Sequence, residues 1–202
     1  MPKFRVVSYD INLARDGSHW HFAKNAASGV IPTNSGHCVF AAVAASQFSA
    51  TFRGDVMRGF LQVLESSSPE LRAEVERGTL IGRLRGFGGA SGYLRQGHGA
   101  GWALVGDAGY FKDPLTAHGI TDALRDAELL SRAVAVGTTQ ALEAYQSERD
   151  ALSLPLLRIT DAVASFSWGL DEIKRLHEQL SALMKAEASH VANLSDYPPL
   201  AA

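Results

Sequence analysis

The stretch "GWALVGDAGYFKDPLTAHGITDALRDAELL", Gly101 to Leu130, gathers the residues best suited to hold a ligand. An apolar run ends in Gly106-Asp107. The Asp107 carboxylate is therefore expected at the carboxyl end of a strand, where open α/β sheets bind ligands. A carboxylate there suits the hydroxyls of a polyol. Gly106 and Gly109 allow a ligand close to the backbone. Asp113-Pro114 bends the loop and Gly119 opens a helix. The amides of Ala117 to Ile120 then lie at a helix amino terminus, unpaired and at the positive end of the dipole. Such a terminus stabilises negative charge on a ligand by about 1 kcal/mol.

This stretch resembles the carboxyl-terminal FAD-binding motif of the para-hydroxybenzoate hydroxylase-like flavoproteins. That motif runs Gly-Asp-Ala, a short loop with a proline, then a glycine opening a helix that ends in Asp-Ala. Here these are Gly106-Asp107-Ala108, Asp113-Pro114, Gly119 and Asp126-Ala127. The resemblance implies that Asp107 holds the ribityl chain of FAD. It places the backbone from Pro114 to Ile120 against the isoalloxazine, with the Gly119 and Ile120 amides near its C2 carbonyl. It also implies reduction of FAD by NAD(P)H, reaction with oxygen, and transfer of one oxygen atom to a small organic substrate. No catalytic residue is assigned, because in such chemistry the cofactor carries the hard step. A flavin-dependent reductase or halogenase is a neighbouring reading, and a non-catalytic remnant that binds a ligand or partner is the rival.

The family begins with a βαβ unit bearing G-x-G-x-x-G, and these residues contain none. "GFGGASG", Gly86 to Gly92, has Ser91 at the third glycine position and reads as a loop. The chain is thus expected to be a carboxyl-terminal fragment, with a separate amino-terminal dinucleotide-binding half as a partner.

Other residues have plainer readings. His118 is a candidate general acid but is expected as a solvent-facing loop residue, and Asp126 as a support for the loop or a solvent-facing group. His19 and His21 share a strand face, but no third metal ligand stands at a recognisable spacing, so no metal is expected. Arg83 and Arg85 read as a solvated face, and Cys38 as a small buried hydrophobe.

The elements that must position the loop fall into an α+β fold. Residues 1–96 read as a strand-rich substrate-binding sheet with a helical insertion, 97–137 as the carboxyl-terminal part of an FAD-binding domain, and 138–202 as helical. "FRVVSYDINLA" and "HWHFAKN" are expected to pair across Asp16-Gly17, and "SGVIP" with "HCVFAAVAA" across "TNSG". Val39 to Ala45 reads as a strand buried on both faces. Helices are expected over Asp55–Glu65 and from Ser68 (N-cap, with Pro69 first in the helix) to a stop at Gly78. "GWALV" is then a short strand, followed by helices over Thr116–Ala135 and Gln140–Leu152. Pro155 starts or kinks the next helix, and Asp171 caps the last. The stripe Ile173, Leu176, Leu180, Leu183 and Met184 reads as core or homo-oligomer packing.

Composition frames this reading. The chain has 202 residues, 46% hydrophobic and 20% charged, with net charge −2, which supplies no reason to invoke nucleic acid or an anionic membrane. The single cysteine excludes an intrachain disulfide and suits a cytoplasmic setting. No apolar run is long enough to span a bilayer, and "MPKFRVVSYD" lacks a signal-peptide pattern.

Overall fold

The computed structural model describes residues 4–13, 15–34, 36–195 and 197. It divides into two compact units, residues 1–90 with 164–173, and residues 91–163 with 174–202. The architecture is mixed α+β.

The first unit is built on an antiparallel sheet. Its strands are β1 (Phe4–Asn12), β2 (His19–Ala23), β3 (Ala26–Thr33), β4 (Gly36–Ala44) and β5 (Thr79–Leu80), in the order β2-β3-β4-β1-β5, and β6 (Arg85–Phe87) also pairs with β1. The β3–β4 hairpin is as expected, with Val30 opposite Val39 and Thr33 opposite Gly36. The expected pairing across Asp16-Gly17 is not made. Instead β1 lies against β4 over eight positions, Phe4 to Ile11. The shorter β2 pairs with β3 through a two-residue turn at Lys24-Asn25, where Asn25 takes the left-handed conformation at φ 63°. Gly17 does have a positive φ, 74°, but the strand after it, β2, is separated from β1 by β3 and β4. Val39 to Val43 are all buried, so β4 is covered on both faces.

Three helices follow, α1 (Ala45–Phe52), α2 (Val56–Ser67) and α3 (Pro69–Arg77). Asp55 caps α2 by accepting from the Arg58 amide at 2.9 Å, and Ser68 caps α3 by accepting from the Leu71 amide at 3.2 Å. Phe60, Val63, Leu64, Leu71 and Val75 pack with Ile11, Val30, Val39, Ala41 and Val43. Phe60 is fully buried, and its truncation to alanine would cost about 3–5 kcal/mol.

The second unit carries short strand pairs and long helices. Strand β7 (Tyr93–Leu94) pairs antiparallel with β10 (Tyr110–Phe111), and β8 (His98–Gly99) with β9 (Trp102–Ala103). The expected strand "GWALV" is thus reduced to two residues in a hairpin. Three helices follow, α4 (Gly119–Val136), α5 (Thr139–Ala164) and α6 (Leu170–Ala192). Gly137 ends α4 in the left-handed conformation, its amide bonded to the Ala133 carbonyl. Pro155 lies inside α5, which runs through it without a break. The turns on either side are secured by packing: Tyr145 joins Leu129 and Ala133 of α4, and Leu156 and Ile159 meet Leu180 of α6. Leu176, Leu183 and Met184 pack on that last cluster, so the α6 stripe from Leu176 to Met184 is core within this unit. Among the described residues, no helix is long and apolar enough to cross a membrane.

Candidate functional site

The turn after β9 is a single 3₁₀ turn, Gly106–Ala108. Gly106 has φ 54°, and a Cβ there would lie 2.8 Å from the Ala123 Cβ, so both backbone and packing require glycine. The Asp107 side chain is exposed, and its backbone carbonyl accepts a hydrogen bond from the Tyr93 hydroxyl at 2.6 Å. A second 3₁₀ turn, Pro114–Thr116, is capped by Asp113, whose carboxylate accepts from the Leu115 amide at 3.1 Å. Ala117 closes it in the left-handed conformation at φ 51°, a strained choice for a residue with a Cβ. His118 then precedes α4, whose first turn receives no side-chain cap. The leading amides of α4 are therefore available to a ligand.

These turns line an open cavity of about 690 Å³. Gly106, Asp107, Pro114, Gly119 and Ile120 all line it, together with Val105, Phe111, Lys112, Asp113, Ala117, Ala123 and Leu124. The five residues singled out from the sequence are thus brought to one place. A Cβ on Gly119 would meet only Asp107 Oδ1, at 4.0 Å. Gly119 is not among the positive-φ glycines, so its lack of a side chain leaves room toward the cavity rather than relieving the backbone.

Polar side chains of α5 hold the loop from behind. The Tyr145 hydroxyl donates to the Leu104 carbonyl at 2.5 Å, and Gln146 Oε1 accepts from the Gly97 amide at 2.7 Å. Arg149 is fully buried and donates to the Arg95 carbonyl at 2.5 Å. A Cβ on Gly97 or Gly109 would press on its guanidinium, at 2.8 and 3.0 Å.

Beneath the cavity wall lies a charged network that sequence reasoning did not anticipate. Arg125, 2% exposed, donates to Asp122, Asp126, Ser153 and Glu187. The Lys112 ammonium pairs with Asp122. Asp126 bonds Arg125 and, through Oδ2, the Gly106 amide at 3.0 Å, so it supports the loop as expected. His118 does not face solvent: its Nε2 lies 2.5 Å from a Glu187 oxygen, with the side chain 11% exposed. Burial would raise the Glu187 carboxyl, but the His118 hydrogen bond and the Arg125 charge hold it below its ordinary value. Burial and the Arg125 charge push Lys112 down to about 8. Asp113 is raised to about 6 by burial and by the Asp161 carboxylate, against the pull of the Leu115 amide.

Ligand atoms of His118, Asp122 and Glu187 lie within 4.8 Å of one another. Arg125 and Lys112 already engage both carboxylates, so this group is a compensated ion network rather than an open metal site. His19, one of the two strand histidines, bonds instead to the Asp16 carbonyl at 2.7 Å. Arg85 is exposed on β6 and Arg83 lies outside any strand. Cys38 is only partly buried.

No family model and no curated protein matches the sequence. Solved structures do match the fold. The flavin-dependent brominase Bmp2 aligns with TM-score 0.66 at 16% identity, over 95% of this chain and 57% of that one. CmlS, a flavin-dependent halogenase, aligns with TM-score 0.65 at 16% identity, over 92% of this chain and 38% of that one. PqsL, a probable FAD-dependent monooxygenase from Pseudomonas aeruginosa, aligns with TM-score 0.60 at 18% identity, over 92% and 52%. The chain spans roughly half the length of these proteins or less. It shares its fold with a portion of flavin-dependent halogenases and of a PqsL-type monooxygenase.

Proposed function

We propose that the chain is the substrate-sheet and carboxyl-terminal portion of an FAD-dependent oxidoreductase of the monooxygenase type. One observation carries this reading: Gly106, Asp107, Pro114, Gly119 and Ile120 meet around one cavity at an uncapped helix amino terminus. The residues fit a flavin. The walls are largely apolar, as a planar ring requires, and Asp107 stands exposed at the edge for ribityl hydroxyls. The α4 amides would hold the electron-rich pyrimidine edge. Bound there and reduced by NAD(P)H, the flavin would supply oxygen activation toward a small organic substrate. The chain's own residues orient the ring and exclude water from one side of it. A halogenase is the second reading, favoured by the higher TM-scores of Bmp2 and CmlS.

The test is a pair of equilibrium titrations near pH 6. Riboflavin should bind saturably, with quenched fluorescence, because its ring and ribityl chain match the cavity. Adenosine diphosphate should not bind, because these residues hold no glycine-rich turn for a pyrophosphate. FAD should accordingly be lost on purification of the 202-residue chain. Saturable binding of the diphosphate, or none of riboflavin, would overturn the reading.

A further inference from the structure

One buried oxygen of a residue that lines the cavity has no partner. Asp113 is 4% exposed. Its Oδ1 accepts from the Leu115 amide, while Oδ2 is buried without a hydrogen bond. Buried polar atoms are otherwise matched almost everywhere in folded proteins, so an unmatched one on a residue lining a ligand-sized cavity points to a group supplied from outside.

The surroundings decide which form of the carboxyl the ligand meets. Val105, Phe111, Pro114, Ile120 and Leu124 make the cavity apolar. Asp161 of α5 sets a second carboxylate against Asp113. The neighbouring Lys112 does not compensate, since its ammonium is engaged by Asp122. A ring seated in the cavity displaces water and disfavours the charged form further.

We propose that protonated Asp113 is a direct ligand contact: on binding, its side chain shifts to bring the Oδ2 hydroxyl to the cavity, where it donates a hydrogen bond to an acceptor oxygen or nitrogen on the edge of the bound heterocycle, and binding draws a proton from solvent onto this carboxyl. The inference rests on the flavin reading and adds to it a residue that couples binding to pH. The free carboxyl titrates near 6, so at neutral pH most sites must first gain the proton.

The experiment is a riboflavin titration of the full chain from about pH 5 to about pH 7.5. Riboflavin has no group titrating in this range, and the upper limit stays below Lys112, which titrates at about 8. Affinity should be level below pH 6 and then weaken, approaching about tenfold per pH unit, as one linked proton requires. Asp113→Asn keeps an oxygen for the Leu115 amide and carries a donor at every pH. Its affinity should stay near the acid-side value of the natural chain across the range. The proposal is overturned by binding that is independent of pH, by affinity that rises with pH, or by an Asp113→Asn profile that still falls. Absence of riboflavin binding at every pH instead removes the flavin reading, and this inference with it.

Discussion

The Gly106 amide donates to Asp126 Oδ2 at 3.0 Å across 20 residues, so the helix's own acid fastens the glycine at which the site begins. The other oxygen of Asp126 takes Arg125 at 2.6 Å. One fully buried carboxylate therefore holds backbone and balances charge together. Asp126→Ala should destabilise the chain by about 3–5 kcal/mol, because it strips a partner from a buried cation and a buried amide. Urea unfolding measures this, and a loss below about 1 kcal/mol would contradict the structure.

The two motif glycines should separate cleanly by assay. Gly106→Val meets Ala123 at 2.8 Å and forces a β-branched residue to φ 54°, so it should lower the thermal midpoint. The Cβ of Gly119→Val meets nothing closer than Asp107 Oδ1 at 4.0 Å, so the change should weaken riboflavin binding far more than stability. Leu183→Val, in the α6 packing, serves as the reverse control, with stability reduced and flavin affinity kept. Equal effects of both glycine changes on flavin affinity and stability would count against the assignment.

Asp107→Ala should leave the unfolding curve in place, since the exposed side chain is not what Tyr93 contacts; that bond goes to the backbone carbonyl. Loss of hydrogen bonds from a charged group, at about 1.5–3 kcal/mol, should weaken riboflavin about ten- to hundredfold. Unchanged affinity in the titration would remove Asp107 from the site.

Asp113 also makes a stability prediction that needs no ligand. Its folded value of about 6 lies above the ordinary carboxyl value of 3.8, so the folded chain holds the proton more tightly than the unfolded chain. Stability from this group is therefore fully present below about pH 4 and falls as pH rises through 6. Asp113→Asn escapes that loss. It should be stabilising by on the order of 2–3 kcal/mol at pH 7.5, with the gain vanishing near pH 4. A gain of the same size at both pH values would show that burial does not govern this carboxyl.

Features written in local chemistry were legible in the sequence. Ser68 caps α3 with Pro69 at its first position, the helix expected from Asp55 is α2, and the residues picked from Gly106 to Ile120 line one cavity. Features settled by distant partners were not. The Asp16-Gly17 turn signal is genuine, but the long β1–β4 ladder outweighs it. Pro155 marks a break that packing on Leu180 closes. Helix α4 misleads most: Asp122, Arg125 and Asp126 are buried while Ile120 and Leu124 are exposed, 80% and 68%, at the cavity. A charged helix face reads as solvated unless the sequence also shows the partner, and Glu187 stands 62 positions away.

That separation sets an order of assembly. A chain emerging from the ribosome presents Lys112, His118 and Arg125 long before it presents Glu187. Until α6 is made, Arg125 has its near neighbours on α4 and Ser153 of α5 but lacks Glu187, and His118 lacks its carboxylate. Long-range pairing of this kind is slow, and incomplete intermediates are exposed to misassembly. The second unit can therefore close its charged seam only late in synthesis, and a nascent chain that stalls before α6 would carry an open seam beside an apolar cavity, the sort of surface that chaperones bind.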